Sequence, residues 1–220
     1  MNISKYGCDF EVTNNPKYIN FWKNHFVNNW EIDTFQFLSR NLNSEKTFID
    51  IGSWIGPIAI PAALCSKNVI CFEPDLIAFN ELYDNCKLNN LKNVELEKLA
   101  VSIHKKISLG AEELGESMTR DSNSENTFDT NCISVKEIFE KYKLNESMIS
   151  AIKIDIEGHE AELLKDEFLM KLNVPMHISL HFPFVNDKNS FYNTLKTFLD
   201  SKNLDIRLYN LNNFTSIEIE

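Results

Sequence analysis

The most regular apolar pattern in the chain is a short β-type run at residues 47–51 that leads into a turn bracketed by glycines. Gly52 and Gly56 allow positive φ and close backbone approach, and Pro57 suits a first helical turn because it has no N–H to leave unpaired. Residues 47–63 therefore predict a strand, a tight turn and a helix. Open α/β sheets bind ligands at the carboxyl ends of their strands, so we expect a nucleotide-like cofactor on this turn.

A second apolar run follows and completes a β-α-β unit. Residues 68–72 predict a strand that ends at Glu73, and Asp75 is expected to cap a helix that continues to about residue 89. Residues 93–99 predict a third strand. Two strands joined by a helix form a parallel pair with a right-handed crossover, which places Glu73 beside the glycine turn.

Aromatic residues at helical spacing predict an amphipathic helix near the N-terminus. Asn15 and Pro16 provide its cap and first turn. Its aromatic face consists of Tyr18, Phe21, Trp22, Phe26 and Trp30. Periodicity leaves two interpretations open: the aromatic face packs on the main domain, or the helix covers the pocket that binds the second substrate, the acceptor. A second helix is predicted at residues 32–42.

The rest of the chain alternates between helices and strands after a polar loop that we expect at residues 115–131. Helices are predicted at residues 134–142, 160–172 and 187–201, and strands at residues 150–156, 176–181, 205–209 and 214–219. No repeat or linker interrupts the pattern. We therefore predict a single domain over residues 1–220, with an N-terminal helical extension at 1–45 and an α/β core at 46–220.

Composition narrows the class of protein. Of the 220 residues, 43% are hydrophobic and 25% are charged, as expected of a globular domain in water. The formal charge of −10 argues against non-specific binding to nucleic acid or to anionic membrane surfaces. Five scattered cysteines without a C-x-x-C pair, and no apolar signal or membrane-spanning run, predict a reduced cytoplasmic protein.

Acidic residues accompany the glycine turn. Asp50 lies two positions before Gly52, and Glu73 suits hydrogen bonding to a ribose diol. The turn departs from the dinucleotide pattern G-x-G-x-x-G, because Trp54 occupies the middle glycine position and would obstruct a pyrophosphate. A phosphate-free cofactor with a positive sulfonium fits this acidic site better. The alternative is an ordinary βα connection that binds nothing.

Charged residues alternate with isoleucines in the strand predicted at residues 150–156. Lys153, Asp155 and Glu157 share one face, although a central strand covered on both faces normally lacks charges. One possibility is that Lys153 and Asp155 form a structural ion pair. The other is that one carboxylate removes the proton from a hydroxyl group of a substrate and that Lys153 orients this carboxylate. Glu160 begins the next helix, where the helix dipole favours an acid without any catalytic role.

His181 ends the strand predicted at residues 176–181 and lies near the expected site. Zinc-ligand spacing on a helix is absent, and we predict a site without a metal. The alternative is a divalent cation held by Asp155, Glu157 and His181.

Three blocks of sequence carry a resemblance to a known family. They are F-I-D-I-G-S-W-I-G at residues 48–56, C-F-E-P at residues 71–74 and I-K-I-D-I-E-G-H-E at residues 152–160. The first and third are similar to F-x-D-x-G-A-N-x-G and K-x-D-x-E-G-x-E. Together they resemble the FkbM family of S-adenosylmethionine-dependent methyltransferases, over residues 30–183.

The resemblance implies a Rossmann-like class I methyltransferase fold. This fold is α/β and doubly wound, with a seven-stranded, mostly parallel sheet and an antiparallel strand near its end. The implied cofactor is S-adenosylmethionine, and the implied cofactor-binding residues are Asp50, Gly52, Ser53, Trp54, Gly56, Glu73, Pro74 and Ala100. Among them the glycine turn would cradle the methionine part, Glu73 the ribose, and Ala100 would lie near the adenine.

Two features of the sequence, at three positions, depart from the family pattern. Ser53 and Trp54 replace the usual Ala-Asn pair, and Ser179 stands where the family often has a Glu two positions before its His. His181 therefore lacks an acidic partner at that position. Ser117 matches a serine of the family's active-site loop.

The implied chemistry is O-methylation of a hydroxyl on a sugar or secondary metabolite, a small-molecule acceptor. We expect in-line attack by the acceptor oxygen on the sulfonium methyl, with Asp155 or Glu157 as general base. Lys153 and His181 complete the catalytic set. The alternatives are a non-catalytic cofactor-binding or scaffold protein of the same fold and an NAD-dependent oxidoreductase. The pattern leaves the oligomeric state open.

Overall fold

Helices and strands alternate along most of the chain. The structure, a computed structural model, describes residues 1–117, 126–204 and 215–220. Its strands are β1 (Asn2–Lys5), β2 (Cys8–Glu11), β3 (Thr47–Ile51), β4 (Asn68–Phe72), β5 (Val94–Glu97), β6 (Ala100–Val101), β7 (Lys106–Ala111), β8 (Asn126–Ile133), β9 (Ile149–Ile154), β10 (Met176–Leu180) and β11 (Thr215–Ile219). Its α-helices are α1 (Ile32–Asn41), α2 (Ala59–Cys65), α3 (Leu76–Leu88), α4 (Val135–Lys141), α5 (Glu160–Leu163), α6 (Glu167–Lys171) and α7 (Lys188–Ser201). None of the described helices has the length and apolar character needed to cross a bilayer.

A central sheet organises these elements. Within the described residues it has six strands in the order β11-β10-β9-β3-β4-β5. All neighbours are parallel except β11, which is antiparallel to β10. This is the predicted Rossmann-like α/β sheet with an antiparallel strand near its end. The seventh predicted strand, at residues 205–209, lies outside the described residues.

The central strands β3 and β9 are buried along their whole length. Ile49 and Ile152 face a hydrophobic cluster that contains side chains of α4, α5, α6 and α7. Phe48 and Ala151 face a second cluster, formed with α1, α2, α3 and the N-terminal segment. Since apolar layers cover both faces, the sheet is doubly wound as predicted, and its central strands have almost continuous apolar sequences.

The N-terminal 45 residues differ from the predicted helical extension. The hairpin of β1 and β2 precedes the aromatic segment. That segment contains a π-helix at Phe21–Phe26 in place of a continuous α-helix. In a π-helix residues five apart share a face, and the rings of Phe21 and Phe26 lie 6.0 Å apart. Trp22 and Phe26 are fully buried in the second cluster, so the aromatic face packs on the core.

Three predicted elements in the second half have different bounds. The helix predicted at residues 160–172 is divided into α5 and α6, because Asp166 caps a new helix by accepting from two backbone N–H groups. The strand predicted at residues 150–156 ends at Ile154. The loop predicted at residues 115–131 includes part of β8, which pairs with β7, and its residues 118–125 lie outside the described residues.

A buried lysine fixes the end of the aromatic segment. The Lys5 ammonium donates hydrogen bonds to the backbone carbonyls of Phe26, Asn28 (3.3 Å) and Trp30 (3.0 Å). It also lies over the rings of Phe26 and Phe35, at 4.5 and 5.0 Å from their centroids. The cation thereby satisfies carbonyls at the C-terminal end of the π-helix and in the turn after it.

Replacing Lys5 with methionine should lower the free energy of unfolding by about 1–3 kcal/mol, because the carbonyls lose their donor while the volume is kept. Urea denaturation followed by tryptophan fluorescence measures this change. Lys105→Met is the matched control, since the ion pair of Lys105 with Glu137 is exposed and contributes little. Equal stability of Lys5→Met and the wild type would contradict this role for Lys5.

Candidate active site

A cavity of about 340 Å³ opens at the carboxyl ends of the central strands. Its wall includes ten of the predicted site residues: Gly52, Ser53, Trp54, Glu73, Pro74, Ala100, Lys153, Asp155, Glu157 and His181. Asp50 and Gly56 are not part of the wall. Asp50 is fully buried, and a Cβ on Gly56 would meet Leu82 and Ile60. The cavity occupies the edge of the sheet where open α/β folds bind ligands.

The glycine turn is tightly packed at the end of β3. Gly52 has a φ of +83°, and a Cβ added to it would lie 1.8 Å from the carbonyl oxygen of Asp155. Only glycine fits, because other residues avoid this φ and no side-chain atom tolerates that contact. The N–H groups of Gly52 and Ser53 both donate to the Phe72 carbonyl, at 3.0 and 3.1 Å. The turn therefore joins the ends of β3, β4 and β9.

Glu73 holds the other side of the turn. Its carboxylate oxygens accept hydrogen bonds from the backbone N–H groups of Trp54 and Asp75, each at 2.8 Å. Burial raises the pKa of Glu73 to about 8, although the two N–H donors oppose that shift. Each carboxylate oxygen has a second lone pair that a hydroxyl donor could use. The hydrogen bonds to Trp54 and Asp75 show that Glu73 holds the backbone of the turn in place. Ribose binding by Glu73 stays a prediction.

Trp54 forms part of the cavity wall and is held by the N-terminal segment. Its ring lies edge to face with Phe21 at 4.6 Å and with Tyr18 at 5.9 Å. The indole N–H donates to the Gly115 carbonyl at 2.9 Å, and the Tyr18 hydroxyl donates to the same oxygen at 2.9 Å. The bulky residue in the middle of the glycine turn is therefore fixed by contacts from outside the turn.

Lys153 is buried between two carboxylates. Its Nζ lies 3.4 Å from Asp50 Oδ1 and 3.4 Å from Asp155 Oδ2, and it donates to the Gly52 carbonyl at 3.0 Å. Burial alone would lower the pKa of Lys153, but the two carboxylates raise it above its ordinary value. The ammonium group therefore stays charged. The ion pair between Lys153 and Asp155 that the sequence suggested is present, and Asp50 is a third charged group in contact with it.

His181 lies just beyond β10 in contact with three acids. Its Nδ1 is 2.9 Å from Glu160 Oε1, and its Nε2 is 3.5 Å from Asp155 Oδ1 and 3.4 Å from Glu157 Oε2. Burial alone would lower the pKa of His181, but the Glu160 hydrogen bond and the carboxylates raise it to about 9. The imidazole is therefore protonated at neutral pH. The acidic partner missing at position 179 is supplied by α5.

Glu160 has a structural role that the helix-dipole explanation misses. Its fully buried carboxylate accepts hydrogen bonds from the N–H groups of Ile156 (3.0 Å) and Gly158 (2.8 Å) as well as from His181. It therefore positions both the imidazole and the loop that carries Glu157. The spacing E-G-x-E at residues 157–160 could have indicated this role, because it allows the second Glu to accept hydrogen bonds from the backbone of the turn before it.

Asp155 and Glu157 differ in protonation. Burial would raise the pKa of Asp155, but Lys153 and His181 lower it below its ordinary value. Burial raises the pKa of Glu157 to about 7, with His181 opposing the shift. A carboxylate with a pKa near 7 is suited to proton exchange at neutral pH, so the two predicted candidates for the base are not equivalent.

Glu31 and His159 also line the wall, and the sequence analysis misses Glu31. Glu31 immediately precedes α1, with a φ of +46°, and lies near Asp155, and burial raises its pKa to about 8. His159 is buried, with its Nε2 2.9 Å from Ser102 Oγ. No local pattern identifies Glu31, because its approach to the site depends on the packing of α1 against β9.

The alternative of a metal centre has a geometric basis. Ligand atoms of Asp155, Glu157 and His181 lie within 4.8 Å of one another, and no other trio of potential ligands does so within the described ranges. A cation there would have to displace the proton from His181, since a protonated imidazole has no lone pair for a metal. A site without a metal stays a prediction.

The sequence matches the methyltransferase FkbM domain family over residues 50–208, well over half of the chain. The chain belongs to the FkbM methyltransferase family. The matched region contains the glycine turn, Glu73 and the stretch from Lys153 to His181. The resemblance carried by the three sequence blocks is thereby confirmed.

Solved structures of other methyltransferases are similar to the chain. An rRNA methylase from Streptococcus thermophilus is 14% identical, with a TM-score of 0.47, over 77% of this chain and 80% of the other. An FkbM methyltransferase from Methylobacillus flagellatus is 15% identical, with a TM-score of 0.46, over 72% of this chain and 38% of the other. An RNA methyltransferase from Salinibacter ruber in complex with S-adenosyl-L-homocysteine is 12% identical, with a TM-score of 0.41, over 69% of this chain and 76% of the other. At these identities and scores the likenesses carry no further conclusion.

A comparison with curated proteins found no match.

Replacing His181 with glutamine should remove a pH-dependent contribution to stability. The pKa rises from 6.5 to about 9 on folding, so the contribution is complete below pH 6.5 and is lost as the pH rises through 9. The free energy of unfolding of the wild type minus that of the variant should therefore be about 3 kcal/mol larger at about pH 6 than at about pH 9.5. Urea denaturation at the two pH values measures this difference.

The control for that experiment is His25→Gln, because His25 is exposed. Its difference from wild type should be the same at both pH values. A difference for His181→Gln that is equally independent of pH would contradict a protonated His181.

Proposed function

We propose that the protein transfers a methyl group from S-adenosylmethionine to a hydroxyl group of a small molecule such as a sugar or secondary metabolite. The observation that carries this proposal is the carboxylate of Glu157, which has a pKa of about 7 and lines the same cavity as the glycine turn. A hydroxyl acceptor loses a proton as its oxygen is methylated, and a base with this pKa is suited to take it.

The charge of the cavity supports the cofactor assignment, together with family membership. When bound, S-adenosylmethionine supplies a methyl group on a positive sulfonium, which becomes a neutral thioether as the methyl passes to the acceptor oxygen. Six acidic side chains line the cavity, against one lysine and two histidines. A cationic ligand would stabilise the charged forms of these acids, including those whose pKa burial raises, whereas a ligand with several phosphates would disfavour them.

The topology supports the proposed orientation of the cofactor. Gly52 after β3 would hold the methionine part, Glu73 after β4 would bind the ribose, and Ala100 beyond β5 would contact the adenine. Asp50 acts on this site through Lys153, and Gly56 through its packing beneath the turn, since neither lines the cavity.

In the proposed mechanism Glu157 accepts the proton of the acceptor hydroxyl. His181 orients the Glu157 carboxylate through the contact at 3.4 Å, and Glu160 fixes the imidazole. Asp155 is the weaker candidate for the base, because Lys153 and His181 stabilise its charged form. Lys153 acts as a positioning residue for the ends of β3 and β9. Trp54 excludes water from one side of the cavity.

The acidic character of the chain supports a small-molecule acceptor over a nucleic acid. The net charge is −10, and the cavity wall has few cationic side chains to neutralise phosphates. Family membership and Trp54 in the turn count against the nicotinamide-dependent alternative. A non-catalytic protein of the same fold would keep cofactor binding and lack the function assigned to Glu157.

The cofactor assignment predicts selective thermal stabilisation. S-adenosylmethionine and S-adenosylhomocysteine should raise the Tm, because a ligand at one hundred times its Kd adds about 2.7 kcal/mol to folding stability. NAD at the same concentration should have no effect and serves as the control. Differential scanning fluorimetry measures the three shifts, and no shift with either sulfur ligand would contradict the cofactor.

The assignment of the base predicts that Glu157→Gln lowers kcat by about 10²- to 10⁴-fold and leaves the Kd for S-adenosylhomocysteine nearly unchanged. Turnover is measured with labelled methyl donor and an acceptor found by screening hydroxyl compounds. Asp155→Asn is the comparison. If it abolishes turnover with normal cofactor binding while Glu157→Gln stays active, the base is Asp155 and our assignment is wrong.

A further inference from the structure

Glu31 occupies an unusual position at the start of α1. It is the residue before the first helical turn, where a side chain often caps the helix, yet it makes no side-chain cap. Its backbone has a φ of +46°, a conformation that costs free energy in a residue other than glycine. The carboxylate accepts a hydrogen bond from Thr34 Oγ1 at 2.8 Å, and the residue lines the cavity.

The chain before Glu31 is held firmly in place. The Trp30 carbonyl accepts a hydrogen bond from the buried Lys5 ammonium at 3.0 Å. The Trp30 ring packs against Phe21 at 5.3 Å and Phe26 at 5.7 Å. The N-terminal hairpin, the π-helix and α1 together therefore fix the place where Glu31 meets the cavity.

The Glu31 carboxylate makes no close ion pair among the described residues, although Lys153 attracts it at longer range. Lys153 is shared between Asp50 and Asp155. In residues 1–117, 126–204 and 215–220, no lysine, arginine or histidine nitrogen lies within 4.0 Å of the Glu31 carboxylate. Burial and the negative Asp155 raise the pKa of Glu31, and Lys153 and the Thr34 hydrogen bond only partly oppose that shift. A ligand cation would stabilise its charged form, as buried charges need a partner.

The order of the strands indicates which part of the cofactor reaches Glu31. From β5 through β4 to β3, the proposed sites for adenine, ribose and methionine follow one another along the sheet. The next strand in this direction is β9, which ends next to Asp155, and α1 packs against it. The far end of the methionine part carries an α-ammonium group, and a carboxylate is the natural acceptor for its N–H donors.

We propose that Glu31 binds the α-ammonium group of the methionine part of the cofactor. This inference rests on the proposed S-adenosylmethionine site and adds an ammonium-binding residue from outside the three sequence blocks. Glu31 is a binding residue in this proposal, and the proton of the acceptor hydroxyl goes to Glu157.

The test compares S-adenosylhomocysteine with its deamino analogue, in which hydrogen replaces the α-amino group. Isothermal titration calorimetry gives the Kd of each for wild type, Glu31→Gln and Glu45→Gln. Glu45 is the matched control, because it is exposed and precedes β3, at the opposite end of the strands from the cavity. Glu31→Gln should bind S-adenosylhomocysteine on the order of tenfold or more weakly, the effect of losing a charge-assisted hydrogen bond.

The deamino analogue should bind wild type and Glu31→Gln with the same Kd, and Glu45→Gln should match wild type for both ligands. An equal loss for both ligands would show a general structural effect and overturn the inference, as would no loss for S-adenosylhomocysteine. Unchanged Kd values with a lowered kcat would place Glu31 at the acceptor and also overturn it. If wild type binds neither ligand, the proposed cofactor itself is wrong.

A folding defect is distinguished by a second variant. Circular dichroism and Tm report whether Glu31→Gln is folded. Glu31→Asp keeps the charge on a shorter side chain, so its loss of affinity should be smaller than that of Glu31→Gln and again confined to S-adenosylhomocysteine. If Glu31→Asp weakens both ligands equally, the inference fails.

Discussion

The arrangement of the site depends on one buried ammonium group. Lys153 contacts Asp50 of β3 and Asp155 after β9, and it donates to the carbonyl of Gly52 between them. The removal of three charges from water costs several kcal/mol per ion, so this network adds little net stability. Its effect is positional. Loss of Lys153 would leave two uncompensated buried carboxylates, and the turn and both strand ends therefore keep one arrangement.

The N-terminal segment is part of this arrangement and not an appendage. Its rings enclose the indole of Trp54, and its last residue before α1 lines the cavity beside Asp155. The lysine of β1 holds that segment at its carbonyl groups. One face of the cavity is consequently built by residues that precede the first strand of the sheet. Variation in this segment would alter the site without changing the central fold.

The sequence predicted those features that rest on local patterns. The strand-turn-helix at Gly52, the position of Glu73 and the Asp75 cap of α3 are all as expected, because spacing and residue type determine them. The partners of His181 could not be predicted, since Glu160 is 21 positions away in the sequence and meets it only in the folded chain. Glu31 was missed for the same reason. The division of the helix after β9 depended on a competing cap that periodicity does not detect.

Gly115 links three parts of the molecule that are distant in the sequence. Its N–H donates to Asp75 Oδ2 at 2.8 Å, and its carbonyl receives both Trp54 Nε1 and the Tyr18 hydroxyl. With a φ of +87°, and with Tyr18 Oη 2.6 Å from where a Cβ would be, this place admits only glycine. Hydrogen bonds at Gly115 thus join the segment leading to Ser117, the glycine turn and the aromatic segment. A shift of any of them breaks a hydrogen bond at this residue, at a cost of about 1 kcal/mol each.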